Sequence, residues 1–308
     1  MNTPSKKKPF VGIWTAMLTP LDAAQNIDLD AFAAHALHLL ASGCGGVTAF
    51  GTTGEGPSFS VAERMAAVEG LIARGVPAER IIVGTSCTAV PETVALTRHA
   101  TALGVHGCLI LAPFYFKGVS DQGIIDSFRQ IMDQSMSPGL AVYLYHIPQV
   151  TGVPLSQHVI RSLFQAYPQH ILGIKDSQCD QAHSLALAAA FMKDLTVYVG
   201  FEPDLPALGR EGSTGAISGL ANFVPRLVHR LVADPDGPGA ARDLARVKEI
   251  LTVFDGFSLM PALKTVMAER DGNAAWLTVR APLVAVTPAE QPELRRRIQA
   301  LALDPEID

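Results

Sequence analysis

Short, almost continuous apolar runs alternate with longer amphipathic stretches along most of the chain. Near-continuous apolarity is typical of strands that are buried on both faces, as in a parallel sheet. The runs that fit this pattern are Val11–Leu18, Gly46–Phe50, Ile81–Gly84, Gly107–Leu111, Leu140–His146, Ile171–Lys175, Thr196–Gly200 and Gly215–Ser218.

Apolar positions at helical spacing fill the gaps between these runs. Helices are predicted at Asp28–Leu40, Ser60–Ala73, Pro91–Leu103, Ser120–Met132, Ser156–Phe164, Cys179–Met192, Asp204–Arg210 and Pro225–Val232. Several begin with Ser, Asp or Pro, and Ser60 with Glu63 has the signature of a capping box. Repeated strand-then-helix units predict an α/β fold, a (β/α)8 TIM barrel.

The chain beyond the predicted barrel is expected to be helical. Three further helices are predicted at Ala240–Phe254, Met260–Arg270 and Pro288–Leu301, after the turn-rich sequence Asp-Pro-Asp-Gly-Pro-Gly at 234–239. We therefore expect an N-terminal tail at residues 1–9, a catalytic barrel at 10–236, and a C-terminal helical segment at 237–308 that packs on the barrel.

Composition narrows the classes of function. The 308 residues are 48% hydrophobic and 17% charged, which allows a large core. A net charge of −5 gives no basic face, so nucleic acid is not an expected partner, and the lysines at 6–8 are expected to form a solvated tail. The chain has no signal-peptide core and no apolar run near the ~20 residues that span a bilayer, so we expect a cytoplasmic protein without a membrane partner. The four cysteines match no zinc pattern and are expected to be free thiols.

Two of the predicted strands end in side chains that can do chemistry. Lys175 ends an apolar run, where burial disfavours the ammonium form, and a neutral lysine amine forms Schiff bases with ketones. Tyr145 ends the preceding run and can shuttle protons, although a core tyrosine like Tyr143 is the alternative. Catalytic residues of such barrels lie at the C-terminal ends of strands, so both are predicted at one mouth.

The loop Gly51-Thr52-Thr53-Gly54-Glu55 follows the second predicted strand at the same end. Its glycines expose backbone N–H groups, it offers two hydroxyls, and it leads into a helix. This combination suits an anion such as a carboxylate, and an ordinary glycine turn is the alternative.

The motifs above resemble the dihydrodipicolinate synthase / N-acetylneuraminate lyase family in order and spacing. The resemblance is carried by Gly-Thr-Thr-Gly-Glu at 51–55, Tyr-His-Ile-Pro at 145–148 followed by Thr-Gly at 151–152, Gly-Ile-Lys-Asp at 173–176, and Gly-Ser-Thr-Gly-Ala-Ile-Ser at 212–218 with Asn222. It covers about Phe10 to Leu301 and implies a (β/α)8 barrel with a C-terminal helical segment. It also implies a class I mechanism that needs no cofactor and no metal.

The resemblance assigns roles to individual residues. Lys175 would form the Schiff base with a 2-oxo acid, and Tyr145 would relay protons. Thr53 would link Tyr145 to a second phenol, and Thr52 would help to bind the substrate carboxylate. The second phenol, Tyr115, would reach in from a neighbouring subunit, which implies a homo-oligomer, commonly a tetramer of paired dimers.

Departures from the family pattern bear on the substrate. Synthases usually carry an arginine that clamps a second carboxylate where this chain has Val150, so dihydrodipicolinate synthesis is disfavoured. His146 replaces a common asparagine and either touches the substrate or packs. The motifs around Gly56 and Lys175 look more like those of 2-keto-3-deoxygluconate aldolases.

The loops after the last two strands are expected to complete the substrate pocket. Gly200 and Glu202 are candidates for binding sugar hydroxyls, together with Ile217 and Ser218. Two neighbouring residues are expected to have structural roles: Asp204 to cap a helix, and Arg210 to lie on a helix surface.

The sequence therefore favours a class I lyase that cleaves or forms a 2-keto-3-deoxy sugar acid with pyruvate as one partner. The alternatives are a dehydratase that uses the same Schiff base, a dihydrodipicolinate synthase-type condensation, and a non-catalytic barrel that binds small acids. A metal-dependent aldolase is disfavoured because none of the nine histidines is expected to form a His-Glu-x-x-His or similar ligand cluster.

Overall fold

The predicted apolar runs form a closed parallel barrel in the computed structural model, which describes residues 7–304. The strands are Gly12–Ala16 (β1), Gly46–Ala49 (β2), Ile81–Gly84 (β3), Gly107–Leu111 (β4), Val142–His146 (β5), Ile171–Asp176 (β6), Thr196–Val199 (β7) and Gly215–Ser218 (β8). Each strand pairs with its neighbours in sequence, and β1 pairs with β8 to close the cylinder. The predicted (β/α)8 fold is therefore confirmed.

Helices follow the strands and surround the barrel. They are Leu29–Ala41 (α1), Val61–Ala73 (α2), Val90–Ala102 (α3), Asp121–Ser135 (α4), Pro148–Thr151 (α5), Gln157–Ala166 (α6), Gln181–Phe191 (α7), Leu205–Arg210 (α8) and Pro225–Ala233 (α9). The predicted capping box is present, since the Ser60 side chain accepts from the Glu63 amide and the Glu63 carboxylate accepts from the Ser60 amide. The short α5 was not predicted.

Three further helices form the C-terminal segment, Ala240–Thr252 (α10), Leu259–Asp271 (α11) and Gln291–Leu301 (α12). The turn between α9 and α10 falls at the predicted junction. Buried residues of this segment, such as Val247, Leu263 and Leu294, belong to the same hydrophobic cluster as the outer face of the barrel. The segment therefore packs directly on the barrel.

Large side chains fill the barrel interior towards the N-terminal ends of the strands. Phe10 stacks on Tyr198 with 3.8 Å between ring centroids, and the Tyr198 hydroxyl donates to the Phe10 carbonyl at 2.9 Å. Trp14 and Tyr143 belong to the same interior cluster. This end is packed, so a site can form only at the other end, as is usual for the fold.

Lys7 corrects the expectation of a solvated basic tail. Its amine donates to the carbonyl oxygens of Val105 at 2.7 Å and His106 at 3.4 Å, and burial lowers the pKa of Lys7. The prediction was wrong at this residue because the carbonyl groups just before β4 accept hydrogen bonds from its amine; Lys6 lies outside the described residues.

As predicted, all four cysteines are free. Among residues 7–304, none of the helices combines the length and apolarity needed to cross a membrane.

Two histidines are expected to make the fold sensitive to acid. Burial lowers the pKa of His35 to about 3 and that of His106 to about 4. In the unfolded chain these two histidines take up protons near pH 6.5, whereas in the native state they stay neutral until the pH approaches about 4. The unfolded state then binds more protons, so the free energy of unfolding should fall as the pH drops from about 6.5 towards 4. Buried His35 alone should contribute up to about 1.4 kcal/mol per pH unit.

Urea unfolding between pH 7 and 4 measures this slope. His35→Gln should flatten it, whereas His158→Gln, at an exposed position, should leave it unchanged. A slope that His35→Gln does not alter would contradict the assignment.

Candidate active site

Lys175 and Tyr145 meet at the C-terminal end of the barrel. The register of β5 and β6 places Tyr145 directly opposite Lys175. The Lys175 Nζ lies 3.4 Å from the Tyr145 hydroxyl and 4.5 Å from the centroid of its ring. Lys175 is only 5% exposed and Tyr145 only 4%. The structure thus brings a buried amine and a buried phenol into contact, and this arrangement suits nucleophilic and acid–base chemistry.

Thr52 extends this contact into the loop after β2. Its Oγ1 lies 3.3 Å from the Tyr145 hydroxyl. The resemblance gave this link to Thr53, and the structure corrects it, because Thr53 instead faces Gly219 in the loop after β8. The loop has left-handed backbone at Phe50 and Glu55, and this conformation decides which of the two neighbouring hydroxyls reaches Tyr145.

The same loop offers backbone amides to an anion. The amides of Glu55 and Gly56 are used inside the turn, where they donate to the carbonyls of Thr52 and Gly51 at 3.1 Å each. Those of Thr52 and Thr53 find no acceptor within residues 7–304. Consecutive unpaired N–H groups beside a nucleophile suit a carboxylate.

Ser177 is a site residue that the sequence analysis missed. Its side chain is 5% exposed, and its hydroxyl finds no hydrogen-bond partner in the part of the chain that the structure describes. A Cβ at Gly200 would lie 2.1 Å from the Ser177 hydroxyl and 2.6 Å from the Lys175 Cε. Ser177 therefore lies next to the Lys175 side chain, and Gly200 leaves room for both. The sequence contains a signal for this residue, because Lys175 and Ser177 are two residues apart and side chains with this spacing in extended chain point to the same face.

Glu202, just after β7, and Ser218, at the end of β8, lie together at the mouth of the barrel. The Ser218 hydroxyl donates to Glu202 Oε1 at 2.6 Å, and the Leu220 amide donates to the same oxygen at 3.1 Å. Both side chains are buried. Ile217 is fully buried in the interior cluster. Glu202 is thus held by the loop after β8, with its second carboxylate oxygen still able to accept.

Tyr115 lies away from this group within the protomer. It follows β4, is 71% exposed, and packs edge-on against the equally exposed Phe116 at 5.1 Å between ring centroids. An exposed aromatic pair is typical of a surface that another protein covers. The predicted contribution of Tyr115 across a subunit interface stays a prediction.

His146, Asp176 and His183 form a polar cluster whose ligand atoms lie within 4.8 Å of one another, close enough for a metal. The expectation that no histidines form a ligand cluster was wrong here, because these residues are far apart in any sequence pattern and are brought together by the ends of β5 and β6 and by α7. His146 Nδ1 accepts from the Leu155 amide at 3.0 Å, which leaves Nε2 to donate to Gln178 Oε1 at 2.8 Å. Burial lowers the pKa of His146. Both ring nitrogens are thus engaged in hydrogen bonds within the protein, which favours the packing role over the substrate contact.

The charged residues at the mouth are mainly acidic. Asp204 was predicted to cap α8, and this prediction was wrong: no amide of the first turn bonds to its side chain. Its Oδ1 instead accepts from Gln181 at 3.2 Å, and burial raises the pKa of Asp204. Val150 is 60% exposed. Arg210 lies on the helix surface as predicted, 2.6 Å from Asp236. Lys117 is the cation beside the Thr-Gly motif, and its amine donates to the carbonyls of Phe114 and Thr151.

A parallel barrel with a buried lysine and a phenol at adjoining strand ends has the arrangement of a Schiff-base enzyme. Residues 9–301 match the model of the dihydrodipicolinate synthetase family. The chain belongs to this family, whose members are Schiff-base-forming lyases and aldolases acting on small molecules.

Individual relatives agree with this assignment. An uncharacterized DapA-like lyase from Chloroflexus aurantiacus is 35% identical over 92% of this chain and 94% of its own. The crystal structure of dihydrodipicolinate synthase from Agrobacterium tumefaciens is similar, with a TM-score of 0.89 and 33% identity over 94% of this chain and 99% of its own. A prophage protein of the same family from E. coli K12, solved in complex with pyruvate, has a TM-score of 0.87 and 26% identity over 96% and 99%.

Proposed function

We propose that the chain is a class I lyase that cleaves or forms a 2-keto-3-deoxy sugar acid, with pyruvate as one partner. The 3.4 Å contact between the Lys175 amine and the Tyr145 hydroxyl carries this proposal. It joins a nucleophile to an acid–base group in a site that excludes most water.

The reaction follows from these two side chains. The Lys175 amine adds to the C2 ketone, Tyr145 donates its proton to the departing hydroxyl group, and loss of water leaves a protonated imine and a Tyr145 phenolate. Tyr145 removes the proton of the C4 hydroxyl, the C3–C4 bond breaks, and its electron pair moves into the imine to give an enamine and a free aldehyde. Tyr145 returns a proton to C3, and water hydrolyses the imine to release pyruvate and regenerate Lys175.

The substrate carboxylate is assigned to the loop after β2. The amides of Thr52 and Thr53 have no acceptor within residues 7–304, and together they can bind one carboxylate. This position sets the C2 ketone against Lys175. A prophage protein of the same family from E. coli K12 was solved in complex with pyruvate, which supports pyruvate as one partner of this chain.

The end of the substrate farthest from the ketone is expected to carry hydroxyl groups and no second carboxylate. A second carboxylate would need a cation, whereas Val150 is apolar, and Glu202 and Asp204 would repel it. The unpaired Ser177 hydroxyl and the second oxygen of Glu202 are suited to bind a polyol. These contacts favour a neutral polyhydroxy aldehyde as the second product.

Product analysis tests this proposal. Incubation with 2-keto-3-deoxygluconate is expected to release pyruvate and glyceraldehyde in equal amounts. A six-carbon product that has lost water would instead identify a dehydratase, and consumption of pyruvate with aspartate semialdehyde would identify a synthase. Either of those outcomes would contradict the assignment.

Tyr115 extends the proposal to the assembly. Its exposed ring, with Phe116, is suited to enter the site of a second copy, as the family resemblance implies. We therefore propose a homo-oligomer, with a tetramer of paired dimers as the expected form in the cytoplasm. Analytical ultracentrifugation that finds only a monomer at assay concentration would contradict it.

A further inference from the structure

A fully buried ion pair joins the loop after β2 to the C-terminal helical segment. The Lys264 amine on α11 donates to Glu55 Oε1 at 2.6 Å, and neither side chain is exposed. The same amine donates to the Thr278 carbonyl at 2.7 Å. Burial lowers the pKa of Lys264, and the carboxylate of Glu55 opposes this shift. Apolar residues of similar volume would fill this space without the cost of desolvating two charges, so the pair calls for a role beyond stability.

Glu55 shares a tight turn with the threonine that contacts Tyr145. The Glu55 amide donates to the Thr52 carbonyl at 3.1 Å, and Glu55 itself has left-handed backbone with φ 55°. On the other side, the Thr19 hydroxyl donates to the Gly54 carbonyl at 2.8 Å. A left-handed backbone is unfavourable for glutamate, so the turn needs an outside anchor to persist. Lys264 supplies that anchor.

We propose that Lys264, acting through Glu55, is a positioning residue that fixes the turn carrying Thr52 and so aligns the Tyr145 hydroxyl with Lys175. This inference rests on the proposed function of Tyr145 as the acid–base group. The C-terminal segment, which touches no reacting atom, would thereby influence the rate of proton transfer by Tyr145.

The double variant Glu55→Gln/Lys264→Met tests the inference, because it removes both charges together and leaves neither unpaired. Two readouts are needed, both at saturating pyruvate so that weaker binding by the turn does not affect them: borohydride trapping of pyruvate on Lys175, and incorporation of deuterium into the methyl group of pyruvate in D2O. We expect an undiminished adduct and an exchange rate about 10- to 100-fold lower, because small misplacements of a catalytic group are costly. Thr52→Val should cause a similar fall, and combining it with the pair variant should add little.

A matched control is available in the same segment. Arg230 on α9 and Asp243 on α10 form an ion pair at 2.7 Å that also joins the barrel to the C-terminal helices but does not touch the turn. Arg230→Met/Asp243→Asn should exchange deuterium at the wild-type rate. If the double variant at Glu55 and Lys264 does not fold, Glu55→Gln alone keeps an acceptor for Lys264. Its neutral hydrogen bond holds the turn less firmly than the ion pair, so exchange should still fall several-fold, and wild-type exchange in this variant would also overturn the inference.

The inference would be overturned if the folded Glu55→Gln/Lys264→Met variant exchanged deuterium at the wild-type rate. It would also be overturned if the combination with Thr52→Val lowered the exchange rate by the product of the two separate losses, since the two changes would then act independently. Failure of the proposed function is distinguishable, because wild-type protein would then form no adduct on Lys175. An adduct with unaltered exchange would remove only the positioning role.

Discussion

Replacing Lys175 with alanine is expected to lower turnover of the sugar acid by at least about 10⁴-fold, because the covalent intermediate cannot form without its amine. The fold should survive. The only hydrogen bond that the Lys175 amine makes within residues 7–304 is to the Tyr145 hydroxyl, so its removal leaves no buried charge without a partner. The measurement is kcat for pyruvate release, with circular dichroism and the thermal midpoint as tests of folding.

A matched lysine variant controls for the loss of charge. Lys193 is exposed beyond the end of α7, and Lys193→Ala should retain full activity. A folded Lys175→Ala variant with more than a few per cent of wild-type turnover would show that the chemistry does not pass through this amine.

Replacing Tyr145 with phenylalanine is expected to slow turnover about 10²- to 10⁴-fold, while the adduct with pyruvate still forms on Lys175. The substitution removes one hydroxyl and keeps the ring that packs in the barrel interior. The loss should appear in kcat, since the hydroxyl moves protons and does not hold the carboxylate. Steady-state kinetics and borohydride trapping on the same preparation separate these two effects.

Tyr143→Phe is the control for this variant. Tyr143 lies two residues earlier on β5, and its hydroxyl bonds to His106 at 2.9 Å, away from Lys175. It should therefore turn over at close to the wild-type rate. Equal losses in the two variants would favour the alternative in which Tyr145 is only a core tyrosine.

The sequence predicts the barrel well because strands buried on both faces leave a strong local signal. The bounds of β3, β4 and β8 match the predicted runs, and the other strands differ by one or two residues at one end or, for β1, at both. The contact of Lys175 with Tyr145 also follows from sequence, because each lies one residue before the end of its strand and the two strands are neighbours. Burial of Lys175 follows from the same apolar run.

The parts of the site that were missed depend on loops and on distant partners. Whether Thr52 or Thr53 reaches Tyr145 is set by left-handed backbone on both sides of the turn, which a pair of adjacent threonines does not reveal. The partner of Glu55 is 209 residues away, on a helix with no obvious link to the site. Asp204 has the residue type of a helix cap, but Gln181 on the neighbouring helix competes for its carboxylate. Ser177 could have been found from its spacing to Lys175.

The most direct test of the account is to incubate the protein with pyruvate and sodium borohydride and to map the modified residue by mass spectrometry. The account predicts a single reduced adduct on Lys175, with a mass equal to that of pyruvate bound through a secondary amine. An adduct on any other lysine, or no adduct at all, would contradict it.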